Sequence, residues 1–184
     1  MAYKLPKKVL SLLDTGLGYH KKGKFDDAMK TYDRVLKKVP LQPDALWLKA
    51  LILMESSKFE DSITLLHIAI KKRPSDEQII NDLGIVYEKS GRLDLAYETF
   101  RKAYELNNDL PSVNINLARF ELDRHNYQDA LEKINYALKL DNSIVEGHNI
   151  KGLILDKMNN YDEAIKSFSL GLAINPNNPD ILIN

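Results

Sequence analysis

Four histidines, His20, His67, His125 and His148, are the side chains best suited to hold a metal or move a proton. They fall at unrelated places along the chain. None forms an HExxH pair or stands at metal-ligand spacing from a carboxylate. There is no cysteine, which removes disulfides, thiolate metal sites and thiol nucleophiles. No glycine-rich phosphate loop occurs, and Gly16-Leu17-Gly18 reads as two glycines within a helix. The many Asp and Glu residues lie at helical surface spacing, where solvation accounts for them. These side chains require no metal and no cofactor, so the chain reads as non-enzymatic.

Phosphate binding is the other chemistry that the residue types suggest. Lysine plus arginine equals aspartate plus glutamate at 26 each, so no overall field favours nucleic acid or an anionic membrane. The balance is uneven, however. Residues 1–42 carry ten basic and four acidic side chains, and the remainder is acidic by the same margin. Lys4, Lys7, Lys8, Lys21, Lys22, Lys24, Lys30, Arg34, Lys37 and Lys38 make this stretch basic. Base-stacking aromatics should then stand among the lysines. Only Tyr3, Tyr19 and Phe25 lie close by, and Phe25 occupies a packing position, so nucleic acid is the lesser reading. No run approaches 18 apolar residues, and the start, MAYKLPKKVLSLLDTG, lacks a small-residue cleavage site. A cytoplasmic chain without a membrane partner is the expectation.

The elements that position these residues repeat. Ala28, Ser62, Ala96, Ala130 and Ala164 stand 34 apart, and Gly16, Ala50, Gly84, Ala118 and Gly152 precede them by twelve. A frame starting at Val9 gives units 9–42, 43–76, 77–110, 111–144 and 145–178, with 1–8 extending the first helix and 179–184 beginning an incomplete sixth unit. Each unit shows apolar residues at helical spacing in two halves, with no strand-like alternation. The fold class is therefore all-α. Pro43 and Pro111 begin their units, where proline is tolerated. Ser75 with Gln78, and Ser143 with Glu146, suggest capping boxes. Turns are expected at Gly23, Ser57, Gly91, His125 and Asn159, with His125 the least comfortable of the five. Small residues let paired helices approach, and Phe25, Phe59, Tyr32, Phe100 and Phe168 fill the space beside them.

A 34-residue helix–turn–helix unit, with Gly or Ala in its first helix and Ala, an aromatic and Ala in its second, resembles the tetratricopeptide repeat. Pro40, Pro74 and Pro176 match the family's terminal proline, whereas Asn108 and Asn142 replace it. The family's early tryptophan is absent. Leu12, Leu46, Ile80, Asn114 and His148 stand at that place, and Trp47 follows one position later. Asn114 and Glu121, where bulky residues are usual, make the fourth unit the most divergent.

The resemblance implies a right-handed α-α superhelix, or solenoid, of five repeats, with first helices lining a concave groove. It places Leu13, Leu17, Trp47, Leu48, Leu51, Met54, Asn81 and Ile85 on that groove. A large exposed apolar patch marks a binding surface, so the expected role is an interaction scaffold or adaptor holding a peptide or helix of a partner protein. The basic and amide clamp that some members use for C-terminal carboxylates finds no match in any register. Leu48, Asp82 and Asn116 fall at one of its places. At the other end, Ile165, Phe168, Leu172 and Ile174 would lack the covering helix with which such arrays end, which suggests either that the sequence is a fragment of a longer protein or that copies self-associate through their C-terminal ends.

Overall fold

The computed structural model describes residues 5–184, and every regular element among them is an α-helix. Tyr3 and Lys4 of the basic stretch lie outside the described residues. In order the helices are α1 (Lys7–Lys21), α2 (Phe25–Lys38), α3 (Pro43–Glu55), α4 (Phe59–Lys72), α5 (Glu77–Lys89), α6 (Leu93–Leu106), α7 (Pro111–Asp123), α8 (Tyr127–Leu140), α9 (Val145–Lys157), α10 (Tyr161–Ile174) and α11 (Pro179–Ile183).

Alternation of helix and turn follows from backbone conformation at one recurring place. Gly23, Ser57, Gly91, His125 and Asn159 all have positive φ, between 57° and 78°. The following residue then donates its N–H five positions back, as Lys24 does to Tyr19 at 3.0 Å and Asn126 to Glu121 at 2.9 Å. This closes each first helix as a Schellman turn does. Only two of the five are glycine, so the hairpin geometry is imposed by packing strongly enough to hold Ser57, His125 and Asn159 in the left-handed region.

Helix starts agree less well with expectation. Pro43 and Pro111 open α3 and α7, but neither predicted capping box forms. Asp76, one residue nearer the helix, caps α5 by accepting from the Ile79 amide at 3.2 Å. Ser143 instead donates its hydroxyl to Asp141 at 2.6 Å, and α9 begins after Ile144. In both places an aspartate outcompetes the serine, as an acceptor in one and as a local turn partner in the other.

The chain divides into two compact units, residues 1–99 and 100–184. In the first, α1 pairs with α2 and α3 with α4, and α5 packs on α4. Val9, Leu12, Leu13, Ala28, Tyr32 and Val35 form its core. Gly16 has no room for a side chain, since a Cβ there would lie 2.5 Å from the Tyr32 ring. Ser62 replaces alanine without cost to polar satisfaction, because its hydroxyl donates to the Ala50 carbonyl at 2.8 Å.

In the second unit α7 pairs with α8, α9 with α10, and α11 docks on α10. Ile115, Ala118, Ala130, Ile134, Ile150 and Ile154 form its core. Gly152 lies against Phe168 as Gly16 does against Tyr32. The divergent polar residues are accommodated by hydrogen bonds. Asn114 donates to the Asn108 carbonyl at 2.6 Å, and His148 meets the Asn142 carbonyl at 2.9 Å. Glu121 accepts from Asn126 at 2.8 Å.

Residues 179–184, too few for a stable helix on their own, carry the short helix α11 packed against α10. Asn178 caps α11 by accepting from the Ile181 amide at 3.0 Å. Ile181 is buried against Gly171. Tertiary packing and a cap supply what so short a helix lacks by itself.

Candidate partner-binding surface

In the first unit, Trp47 of α3 and Asp82 of α5 stand at the fifth and sixth places of successive frames. The indole Nε1 donates to Asp82 Oδ2 at 2.6 Å. On these two helices and the neighbouring first helix α1, Leu48, Leu51 and Met54 of α3, Ile85 of α5 and Leu17 of α1 are each half-buried, with part of their apolar surface in solvent. Leu46, Ala50, Ile79, Ile80 and Leu83 on the same helices are buried. The half-buried set therefore forms a face distinct from the side packed into the hairpins. Leu13 and Asn81 lie beneath it, at 9% and 4% exposure, and Leu13 belongs to the core cluster.

The charges on this face are unequal in their partners. Asp44 receives Arg73 in a two-pronged contact, at 2.6 and 2.8 Å, and Gln42 as well. His20 lies 4.0 Å from Glu55. Asp82 is half-buried and accepts hydrogen bonds from Trp47 and Asn81, but no lysine, arginine or histidine among the described residues pairs with it. Burial pushes its carboxyl up to about 6, and the Asp76 charge adds to the rise while the two hydrogen bonds oppose it.

The second unit has a groove of about 440 Å³ along α7, α9 and α11, at places equivalent in the frame. Leu122, Ile150 and Leu153 supply its apolar lining, and Asp123, Glu146 and Asp180 its acids. Arg119, its base, pairs with Glu146 at 3.2 Å and donates to Asn116 at 3.1 Å. Neither the fourth nor the fifth frame carries an aromatic here.

The other expected surfaces differ in openness. Phe168 is held in its own hairpin against Gly152, and Leu172 is half-buried, while Ile165 and Ile174 are 62% and 45% exposed. Lys21, Lys22 and Lys24 are exposed at the end of α1. Phe25 beside them sits edge-on to His20, with ring centroids 5.7 Å apart. Sequence reasoning missed Asp82 as the partner of Trp47. The signal was present as an acid 35 positions after the tryptophan, which neighbouring first helices bring side by side. No helix among the described residues is long and apolar enough to cross a membrane.

Comparison with known proteins agrees with this architecture. The family described as "Psidin, N-terminal TPR repeats region" matches residues 19–117, more than half of the chain. "Tetratricopeptide repeat" matches residues 145–178. An N-terminal acetyltransferase A complex subunit-like protein of Schizosaccharomyces pombe is 24% identical, covering 89% of this chain and 24% of its own length. An Hsp70-Hsp90 organising protein of Plasmodium falciparum is 27% identical, covering 87% of this chain and 28% of its own. The chain thus spans about a quarter of the length of these relatives. The solved structure of Pseudomonas aeruginosa pilF is similar in fold, with a TM-score of 0.85 at 19% identity over 95% of this chain and 80% of that one. Helical hairpins at a constant spacing, and family sequence patterns along most of them, lead to one assignment: the chain belongs to the tetratricopeptide-repeat family.

Proposed function

We propose that the protein is a non-enzymatic adaptor that holds a peptide or helix of a partner protein against the first-helix face of α1, α3 and α5. The observation that carries this reading is the half-buried apolar set around Trp47, left partly in solvent although it is contiguous with the core. An aromatic at the centre of such a set is the usual form of a binding hot spot. The names of two relatives, a complex subunit-like protein and an organising protein for Hsp70 and Hsp90, support a role in bringing proteins together. The clamp for C-terminal carboxylates is disfavoured by Leu48 and Asp82 at its places. The test is affinity capture followed by mass spectrometry, comparing the wild type with Trp47→Ala and checking that both stay helical by circular dichroism. Partners lost from the variant support the reading. An identical set captured by both overturns it.

A second reading, self-association through the last hairpin, is favoured by exposed apolar residues there: Ile165, Ile174, Leu182 and Ile183. Sedimentation over a range of concentrations, repeated with Ile165→Glu, separates the two readings. A wild type that stays monomeric throughout removes the second.

A further inference from the structure

Asp82 presents a chemical question that peptide binding in general leaves open. A carboxylate withdrawn from water without a cation is costly, and such groups are ordinarily paired. Asp44, on the same side of α3, is paired: Arg73 holds it with both terminal nitrogens. Among the described residues, Asp82 has only the neutral donors of Trp47 and Asn81. An ionised carboxyl has about four acceptor sites, so two hydrogen bonds leave room for a guanidinium or ammonium group. The indole N–H bond also fixes the orientation of the carboxyl group and holds Trp47 beside it. Aliphatic stems of Lys and Arg pack well on such surfaces, and their charged heads are attracted to an indole ring.

The charges nearby point the same way. At the second, fifth, sixth, ninth, twelfth and thirteenth places of the first three frames, which the family resemblance assigns to the groove, stand Asp14, Asp44, Glu55, Asp82 and Glu88, against Lys21, Lys89 and His20, with Arg73 on Asp44 besides. The whole chain is balanced at 26 of each sign, so this face is more acidic than the chain's composition alone would make it. The groove in the second unit shows the same excess by itself, with Asp123, Glu146 and Asp180 against Arg119. Resting on the groove reading above, we infer that the partner segment is basic, and that one of its lysines or arginines pairs with Asp82 while its stem lies on Trp47 and neighbouring apolar side chains take Leu51 and Ile85.

The probe is a random peptide library displayed on phage and selected on the wild type, Asp82→Asn and Trp47→Ala. Asparagine keeps an acceptor for the indole and removes only the charge. Peptides enriched on the wild type should carry a basic residue beside apolar ones. A selected peptide should lose about tenfold or more in affinity on Asp82→Asn, and replacing its arginine by citrulline should cost as much on the wild type and little on the variant. The free Asp82→Asn protein should be no less stable than the wild type, since a charge that serves binding is a cost to the unbound fold. Enriched peptides with no basic preference, or with one that Asp82→Asn retains, overturn this inference and leave the groove reading standing. Enrichment that is also indifferent to Trp47→Ala, or no enrichment at all, overturns both. An Asp82→Asn protein that loses stability assigns the carboxylate a structural role and overturns the inference.

Discussion

Asn114 donates from Nδ2 to the carbonyl oxygen of Asn108, 2.6 Å away, and so ties the start of α7 to the turn before it. The relationship recurs 34 residues later, where His148 Nε2 meets the Asn142 carbonyl at 2.9 Å. A carbonyl only accepts, so His148 carries its proton on Nε2. At both of these frame junctions the turn has asparagine in place of proline, and the first helix that follows has a polar residue in place of a bulky apolar one. The two departures occur together because each first-helix side chain satisfies the carbonyl of its own turn.

From this follows the first expected outcome. Asn114→Ala and His148→Ala each leave a turn carbonyl without its side-chain donor, and should destabilise the protein by about 1–3 kcal/mol. Chemical denaturation of each variant measures this. A loss well below 1 kcal/mol in both would show that the side chains merely occupy space.

Gly152 and Phe168 should be coupled. Gly152→Val drives two methyl groups toward the Phe168 ring, an overpacking change expected to cost about 1–3 kcal/mol. Phe168→Leu should relieve part of it, so the double variant should be more stable than the sum of the single losses predicts. Additive losses would place the strain elsewhere.

Much of the fold was legible because the small residues recur at positions that permit only close helix pairing. The five turns could be placed for the same reason, although Ser57, His125 and Asn159 are not residues that demand positive φ. Helix starts were less legible. Whether Ser75 or Asp76 caps α5 depends on the angle at which the chain leaves α4, which is set by packing and leaves no local sequence mark. For the face around Trp47 the sequence could name Trp47 but not separate Leu13 and Asn81, which are buried, from Leu48 and Ile85, which are not. That distinction depends on the rotation of each helix about its axis. The pairing of Trp47 with Asp82 was hidden because it crosses between frames at unequal places.

Asp82 should make stability depend on pH in an identifiable direction. Its folded-state value of about 6 lies above the ordinary 3.8. Between these values the folded chain holds a proton that the unfolded chain has released, so its contribution favours folding as pH falls through that window. Above it, the partly buried charge is a standing cost. Asp82→Asn should thus be more stable than the wild type near neutral pH, by about 1–2 kcal/mol, and the difference should vanish toward pH ~4. Unfolding curves of both proteins across this range test it. A difference that does not change with pH would mean that Asp82 titrates at an ordinary value.

The central claim is that the face around Trp47 is where a partner binds. Trp47 is the only tryptophan, so its indole N–H gives a single nuclear magnetic resonance signal that reports on this bond to Asp82. The most direct measurement is a titration of isotope-labelled protein with a segment of a captured partner, following that signal with the backbone amides. The account predicts that the indole resonance shifts along with amides of α3 and α5 and saturates at the same concentration. Saturable shifts elsewhere in the protein, with the indole signal unmoved, would contradict it.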